Sequence, residues 1–238
     1  MKKYLILFAL LFTFFVLNTL PISLFNSTIQ RSNLDISALK GSVWQGSAYS
    51  SKLGAIDWDF SPLKLLQAKL SWTIGVKQTT NHALSFEVAV DIFKQLHLSE
   101  VNGFLSDKTL KNLSLLPDNV ANIALFELQI KQLDLILAMD KANAKPHITQ
   151  GHIQVKKLNI LGQQLGQYQL LIHSKNQQLN AVITDKNNSP IKTHLTAHLS
   201  KTGALNIQGN IKANNPEIQK LFKQFNLKNR VNFKTKLW

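Results

Sequence analysis

The chain contains no cysteine among its 238 residues. That excludes disulfides, thiol nucleophiles and cysteine-ligated metal sites together. It also suits a domain exported into an oxidising envelope compartment. Acidic residues are scarce as well, 13 Asp and Glu against 27 Lys and Arg, and charged residues of both signs reach only 17%. The polar surface must therefore come mainly from Asn, Gln, Ser, Thr and Lys, which suits strands better than long exposed helices. Linkers are missing too. No Gly-, Ser- or Pro-rich stretch divides Leu34 from Trp238, and the expectation is one domain. Apolar residues, at 45%, suffice for it to fold.

The charge imbalance gives a formal net charge of +14, which attracts nucleic acid, phospholipid headgroups, lipopolysaccharide or an acidic protein. The basic residues are scattered, with Lys156-Lys157 typical of the densest groups. Aromatic residues do not interleave with them as in a base-stacking platform. Nucleic acid is therefore not an expected partner, and a solvated basic face near a membrane is the simpler reading.

Catalytic patterns are also missing. The sequence has no G-x-S-x-G, no Walker A loop, no G-x-G-x-x-G and no H-E-x-x-H. Asp57 and Asp59 straddle Trp58 on one face of a predicted strand, where two exposed carboxylates near a turn are simply solvated. His194 and His198 would converge on one ion from a helix. On a strand they stand about 13 Å apart, too far to share a zinc. His147 and His152 bracket a strand start with no carboxylate placed to join them. No enzyme activity, metal or cofactor is expected.

Met1-Lys2-Lys3 precedes an uncharged apolar run from Tyr4 to Leu20. At the rise of an α-helix this run measures about 25 Å, and extension through Pro21 to Phe25 brings it to about 33 Å, enough to cross a bilayer core. The lysines place the tip in the cytoplasm. The expected division is residues 1–3 as cytoplasmic tip, 4–25 as transmembrane helix and 26–238 as periplasmic domain. The competing reading is a cleaved signal peptide, which has a shorter apolar core and a small-x-small cleavage site. Asn18-Thr19-Leu20-Pro21 offers no such site, so a retained single-pass inner-membrane anchor is expected.

Beyond the anchor, apolar and polar residues alternate in short runs. Leu84, Phe86, Val88 and Val90 share a face opposite Ser85 and Glu87. Ile191, Thr193, Leu195, Ala197 and Leu199 alternate with Lys192, His194, Thr196, His198 and Ser200. Leu205 to Ile211 and Val231 to Leu237 repeat the pattern. Period-2 alternation predicts strands with one buried and one wet face. From Phe126 to Met139 the phase shifts near Lys131-Gln132, as at a β-bulge or a tight turn. Turns are predicted at Asn102-Gly103, Asp185 to Pro190 and Lys201-Thr202-Gly203. Three short helices are predicted to open at Ser61-Pro62, at Ser106-Asp107 and at Asn215-Pro216. The last carries Ile218, Leu221, Phe222 and Phe225 at helical spacing. The fold class is mainly β, an antiparallel meander with about three short helices. Trp44, Trp58 and Trp72 recur at regular intervals and read as core aromatics on successive strands.

Gly41-Ser42-Val43-Trp44-Gln45-Gly46 resembles the G-[TS]-[VA]-W-x-G signature of the type II secretion system protein N family. Trp58-Asp59-Phe60-Ser61-Pro62-Leu63-Lys64-Leu65-Leu66 is similar to that family's W-x-x-x-P-x-x-L-L segment. These motifs cover roughly residues 38–75. Leu165-Gly166-Gln167-Tyr168 and Leu205 to Gly209 echo family turns. Ala68 stands where relatives usually carry Gly, and a strand start tolerates either. Gly41, Trp44, Gly46, Trp58 and Pro62 read as folding determinants first and as docking surface second. Leu65 and Leu66 complete the signature. The resemblance implies a non-catalytic inner-membrane component of the machinery that exports folded proteins from the periplasm across the outer membrane. It would contact other inner-membrane subunits of that system. It further suggests a distant likeness to AsmA-like proteins, whose curved amphipathic sheets form grooves for membrane lipids.

Overall fold

The computed structural model describes residues 4, 19–25, 27, 35–77, 82–116, 124–138, 147–160, 162–175, 178–186, 189–200, 204–216, 218–220 and 229–236. Alternation in the sequence becomes strands in the fold. They are β1 Ile36–Gly41, β2 Gln45–Ser50, β3 Gly54–Phe60, β4 Lys69–Lys77, β5 His82–Asp91, β6 Gln95–Ser106 and β7 Ala124–Ala138. They continue as β8 His147–Ile160, β9 Gln163–Lys175, β10 Gln178–Lys186, β11 Ile191–Leu199, β12 Ala204–Ala213 and β13 Arg230–Lys236. All belong to a single antiparallel sheet in which each strand pairs with its neighbours in sequence, from β1 at one edge to β13 at the other. Two edges remain open, so the sheet is not a closed barrel.

Register shows how sharply the two faces differ. Directly paired residues of an antiparallel sheet lie on the same face. One row runs Ala48, Ile56, Val76, Leu84, Gly103, Ile130, Ile153, Leu170, Ile183, Leu195, Gly209, Val231 from β2 to β13. The neighbouring row on the opposite face runs Gln129, Gln154, Gln169, Thr184, His194, Asn210, Arg230. The first row holds no polar side chain; the second holds no apolar one from β7 to β13 but continues as Phe104 and Ala83 on β6 and β5. Most apolar-face residues are nevertheless only half-buried, and Ile218 is the largest fully buried side chain among the described residues. No second sheet lies over this face among the described residues.

Two helical segments cover parts of it, both from the end at which β6 and β12 finish. Helix α1, Asp107–Asn112, starts at Ser106, whose hydroxyl accepts from the Thr109 amide at 3.3 Å. Leu110 joins Val101, Leu105 and Ile130 in one core cluster. The predicted Asn215-Pro216 helix is present at Pro216 and at Ile218–Lys220. Ile218 packs with Tyr168, Ile191 and Ala213 in a second cluster. Leu221, Phe222 and Phe225 lie outside the described residues. The Ser61-Pro62 signal gives a 3-10 turn, Pro62–Gln67.

The phase shift in β7 is a bulge within one continuous strand, with the register against β8 slipping between Ile130 and Gln132. Of the predicted Asp185 to Pro190 turn, Asp185 and Lys186 end β10 and the Ser189 amide donates to Lys186 O at 3.2 Å before β11, while Asn187 and Asn188 lie outside the described residues. Lys201 to Gly203 lies outside the described residues, although Leu199 pairs with Leu205 on either side of it. Asn102-Gly103 is a correction, since it lies inside β6 and makes no turn. Gly103 has φ +135°, and a Cβ there would stand 2.0 Å from the Ala83 carbonyl oxygen. The glycine serves a close strand approach beside a register shift, not a reversal. Glu87 is a second correction: it is buried rather than wet.

The expected anchor, residues 4–25, lies outside the described residues except for Tyr4 and residues 19–25. Among the described residues no helix is long and apolar enough to cross a membrane. Ile22–Phe25 is a short 3-10 turn, and Pro21 forms an isolated bridge with Ser42.

Candidate functional site: the corner that receives the N-terminal segment

The β1–β2 connection, Ser42 to Trp44, is a turn held from several sides. The Ser42 amide donates to the Gln45 carbonyl at 2.9 Å, and the Ser42 hydroxyl accepts from the amides of Trp44 and Gln45, both at 3.2 Å. Two indoles donate to its outer carbonyls: Trp58 Nε1 to Ser42 O and Trp72 Nε1 to Val43 O, both at 3.0 Å. Phe60 bridges the tryptophans, 4.6 Å from the Trp44 ring in edge-on contact and 5.5 Å from Trp72. The Phe60 amide donates to Trp44 O at 2.7 Å. The incoming chain docks here as well, because the Val43 amide donates to Leu20 O at 3.0 Å.

This geometry explains the spacing of the motif. Gly41 has φ +99°, which disfavours any side chain. A Cβ on Gly46 would lie 2.4 Å from both Lys40 O and the Trp58 ring. Trp58 therefore crosses over Gly46 to reach Ser42, and only a bare α-carbon leaves it room. Gly41, Trp44, Gly46 and Trp58 come together at this corner. Trp58 and Trp72 stand on adjacent strands, but Val43-Trp44 is not strand-like: it lies in the turn. The Ser42 and Val43 carbonyls accept from indole side chains, and the Trp44 carbonyl accepts from the Phe60 amide.

Pro62 opens the 3-10 turn between β3 and β4, and Leu65 and Leu66 on it are exposed. Ala68 is a further correction. It caps that turn in the left-handed conformation, φ 55°, with its amide donating to Leu65 O at 2.9 Å. Alanine bears a left-handed penalty of about 1–2 kcal/mol that glycine escapes. Glycine loses more backbone entropy on folding, which returns part of that gain. Ala68→Gly is therefore expected to raise the unfolding free energy by about 0.5–1 kcal/mol in chemical denaturation. A lowered midpoint would contradict the cap.

Beneath this turn lies a polar cluster that reading along the sequence misses. The Ser71 hydroxyl donates to Glu87 Oε1 at 2.6 Å, and the Lys64 ammonium meets Oε2 at 3.1 Å. Burial pushes the Glu87 carboxyl up, but Ser71, Lys64 and Lys69 outweigh it and hold the carboxyl below its ordinary value. A depressed folded value means that Glu87 stabilises the fold above its unfolded pKa. That contribution is lost as pH falls through the folded value. Glu87→Gln should flatten the acid limb of stability against pH in denaturant titrations, and an unchanged limb would contradict this assignment. The carboxylate and the serine meet diagonally across β4 and β5, beneath a lysine from the preceding turn, so no local sequence pattern marks them.

The remaining candidates are dispersed. Asp57 lies on the polar face with Lys77 at 3.6 Å, and Asp59 is exposed there. His194 and His198 are exposed on β11, and His147 Nε2 meets the Ser174 hydroxyl at 2.9 Å. No group of three or more His, Asp or Glu among the described residues could hold a metal ion.

An antiparallel sheet with one apolar face, joined at a tryptophan-pinned corner to Leu20 and Pro21, defines a mainly β protein. The family model described as type II secretion system, protein N, matches residues 32–228. The chain belongs to that family and is a type II secretion component. No curated protein and no solved structure matches it.

Proposed function

We propose that the chain is a non-catalytic inner-membrane component of the type II secretion system that supports export of folded proteins across the outer membrane. The apolar run from Tyr4 to Leu20 anchors it with the N-terminus in the cytoplasm, and the sheet faces the periplasm. The observation that carries this reading is the corner. The family signature, Gly41 to Gly46, is the part of the sheet that hydrogen-bonds to Leu20 and bridges to Pro21 at the end of the apolar run. The signature residues thus couple tether to sheet, and the polar face and the edge strands are left for other inner-membrane subunits. Photo-crosslinkers at Gln169 on the polar face and Asn232 on the edge strand β13, introduced in cells, test the reading. Capture of type II secretion subunits is expected. Capture of unrelated proteins alone would contradict it.

The apolar face supports a second reading, an AsmA-like groove for membrane lipids. A continuous apolar row across twelve strands, covered only in part by the two helical segments among the described residues, exposes area that favours a nonpolar partner. A crosslinker at Leu170 should then capture lipid while one at neighbouring Gln169 does not. Equal labelling from both positions would rule the groove out.

A further inference from the structure

Five of the exposed large apolar side chains gather at one end of the first six strands, while Tyr49, Leu115 and Leu125 are exposed at the other. Register places the β1–β2 corner, the Pro62–Gln67 turn and the β5–β6 turn at that same end: Gly41 pairs with Gly46, Phe60 with Trp72, Lys69 with Asp91 and Val90 with Leu96. The second turn exposes Leu63 (77%), Leu65 (50%) and Leu66 (88%), and the third exposes Ile92 (70%) and Phe93 (74%). These residues are held out by built turns. The Lys64 amide donates to Ser61 O at 3.1 Å. Asp91 Oδ1 accepts from the amides of Phe93 and Gln95, both at 2.9 Å, while its other oxygen meets His97 at 2.9 Å.

We propose that this end of the sheet docks on a lipid bilayer, with Leu63, Leu65, Leu66, Ile92 and Phe93 entering the boundary between headgroups and acyl chains. Two observations choose lipid over protein. The uncharged run from Tyr4 ends at Leu20, whose carbonyl is bonded to Val43 at this same end, so the chain leaves the sheet beside the patch. Charge agrees, because Lys40 and Lys94 are exposed here. Glu87 and Asp91 are engaged internally by Lys64 and His97, leaving Asp59 as the exposed carboxylate on these strand ends. Leucine and phenylalanine flanked by lysine is the composition of a surface that binds anionic membrane interfaces. With two attachments, tether and tip, the sheet would stand on the membrane at a fixed angle instead of swinging from a flexible stalk. The inference rests on the reading that Tyr4 to Leu20 enters the membrane.

The absence of cysteine makes the test direct. Full-length L66C, F93C, L10C and K108C variants, each carrying an environment-sensitive fluorophore, are reconstituted into vesicles of phosphatidylethanolamine and phosphatidylglycerol. Lys108 lies in α1 at the opposite end. Probes at residues 66, 93 and 10 are expected to be quenched by spin-labelled lipid and shielded several-fold from aqueous iodide, and the probe at 108 to behave in reverse. A membrane-buried probe at 10 with aqueous probes at 66 and 93 overturns the docking and leaves the anchor intact. Aqueous probes at all four positions overturn the anchor itself and the docking with it. Probes at 66 and 93 that are shielded in cells but aqueous in vesicles assign the tip to a protein partner and also overturn the proposal.

Discussion

Gly46→Val is expected to destabilise the protein by about 3 kcal/mol, near the upper end of overpacking penalties. The reason is geometric. Even a Cβ at this position falls 2.4 Å from the Lys40 carbonyl, which belongs to a paired strand and cannot swing aside as a flexible side chain would. The same atom falls 2.4 Å from the Trp58 ring, so relief by moving the indole breaks its bond to Ser42. Both routes open the corner that receives Leu20. Thermal unfolding followed by circular dichroism measures the loss, and a change below about 1 kcal/mol would show that the corner yields more readily than its contacts imply. Gly46→Ala already introduces the clashing atom and should show much of the effect.

Substitution of Trp58 separates packing from hydrogen bonding. Trp58→Phe keeps a ring over Gly46 but removes the donor to Ser42 O, at an expected cost of about 1 kcal/mol. Trp58→Ala removes both and is expected to cost about 3 kcal/mol, the low end for a large aromatic because the side chain is only half-buried. Combining Trp58→Phe with Trp72→Phe tests cooperation, since the two indoles hold successive carbonyls, Ser42 and Val43, of one turn. A double variant that loses more than the sum of the singles shows that either indole alone keeps the turn closed. Strict additivity would show that the two bonds act independently.

Much of this architecture is written locally. Ile191 to Leu199 alternates so regularly that its strand, its faces and the exposure of His194 and His198 follow from the sequence. The Lys131-Gln132 bulge is likewise visible as a phase change, because a single extra residue inverts every later side chain. Residues whose roles depend on a neighbouring strand are not legible in this way. Asn102-Gly103 carries the signal of a hairpin turn, yet Gly103 answers to the Ala83 carbonyl on β5. Glu87 fits the wet half of an alternating pattern, but Lys64 and Ser71 close over it from the preceding turn and strand. Ala68 reads as the start of a strand until the left-handed cap is seen. At the corner, the spacing of Gly41, Trp44, Gly46 and Trp58 is visible as a motif, whereas its cause appears only when β2 and β3 are paired.

We propose that this sheet serves type II secretion. The most direct test is to delete the gene in its own host and measure exported enzyme activity in the medium and the periplasm, with complementation by the wild-type chain and by Gly46→Val. The account predicts that exported activity shifts from medium to periplasm, that the wild-type chain restores it and that Gly46→Val does not. Unchanged extracellular activity in the deletion strain, with the wild-type chain shown to be expressed in the parent, would contradict it.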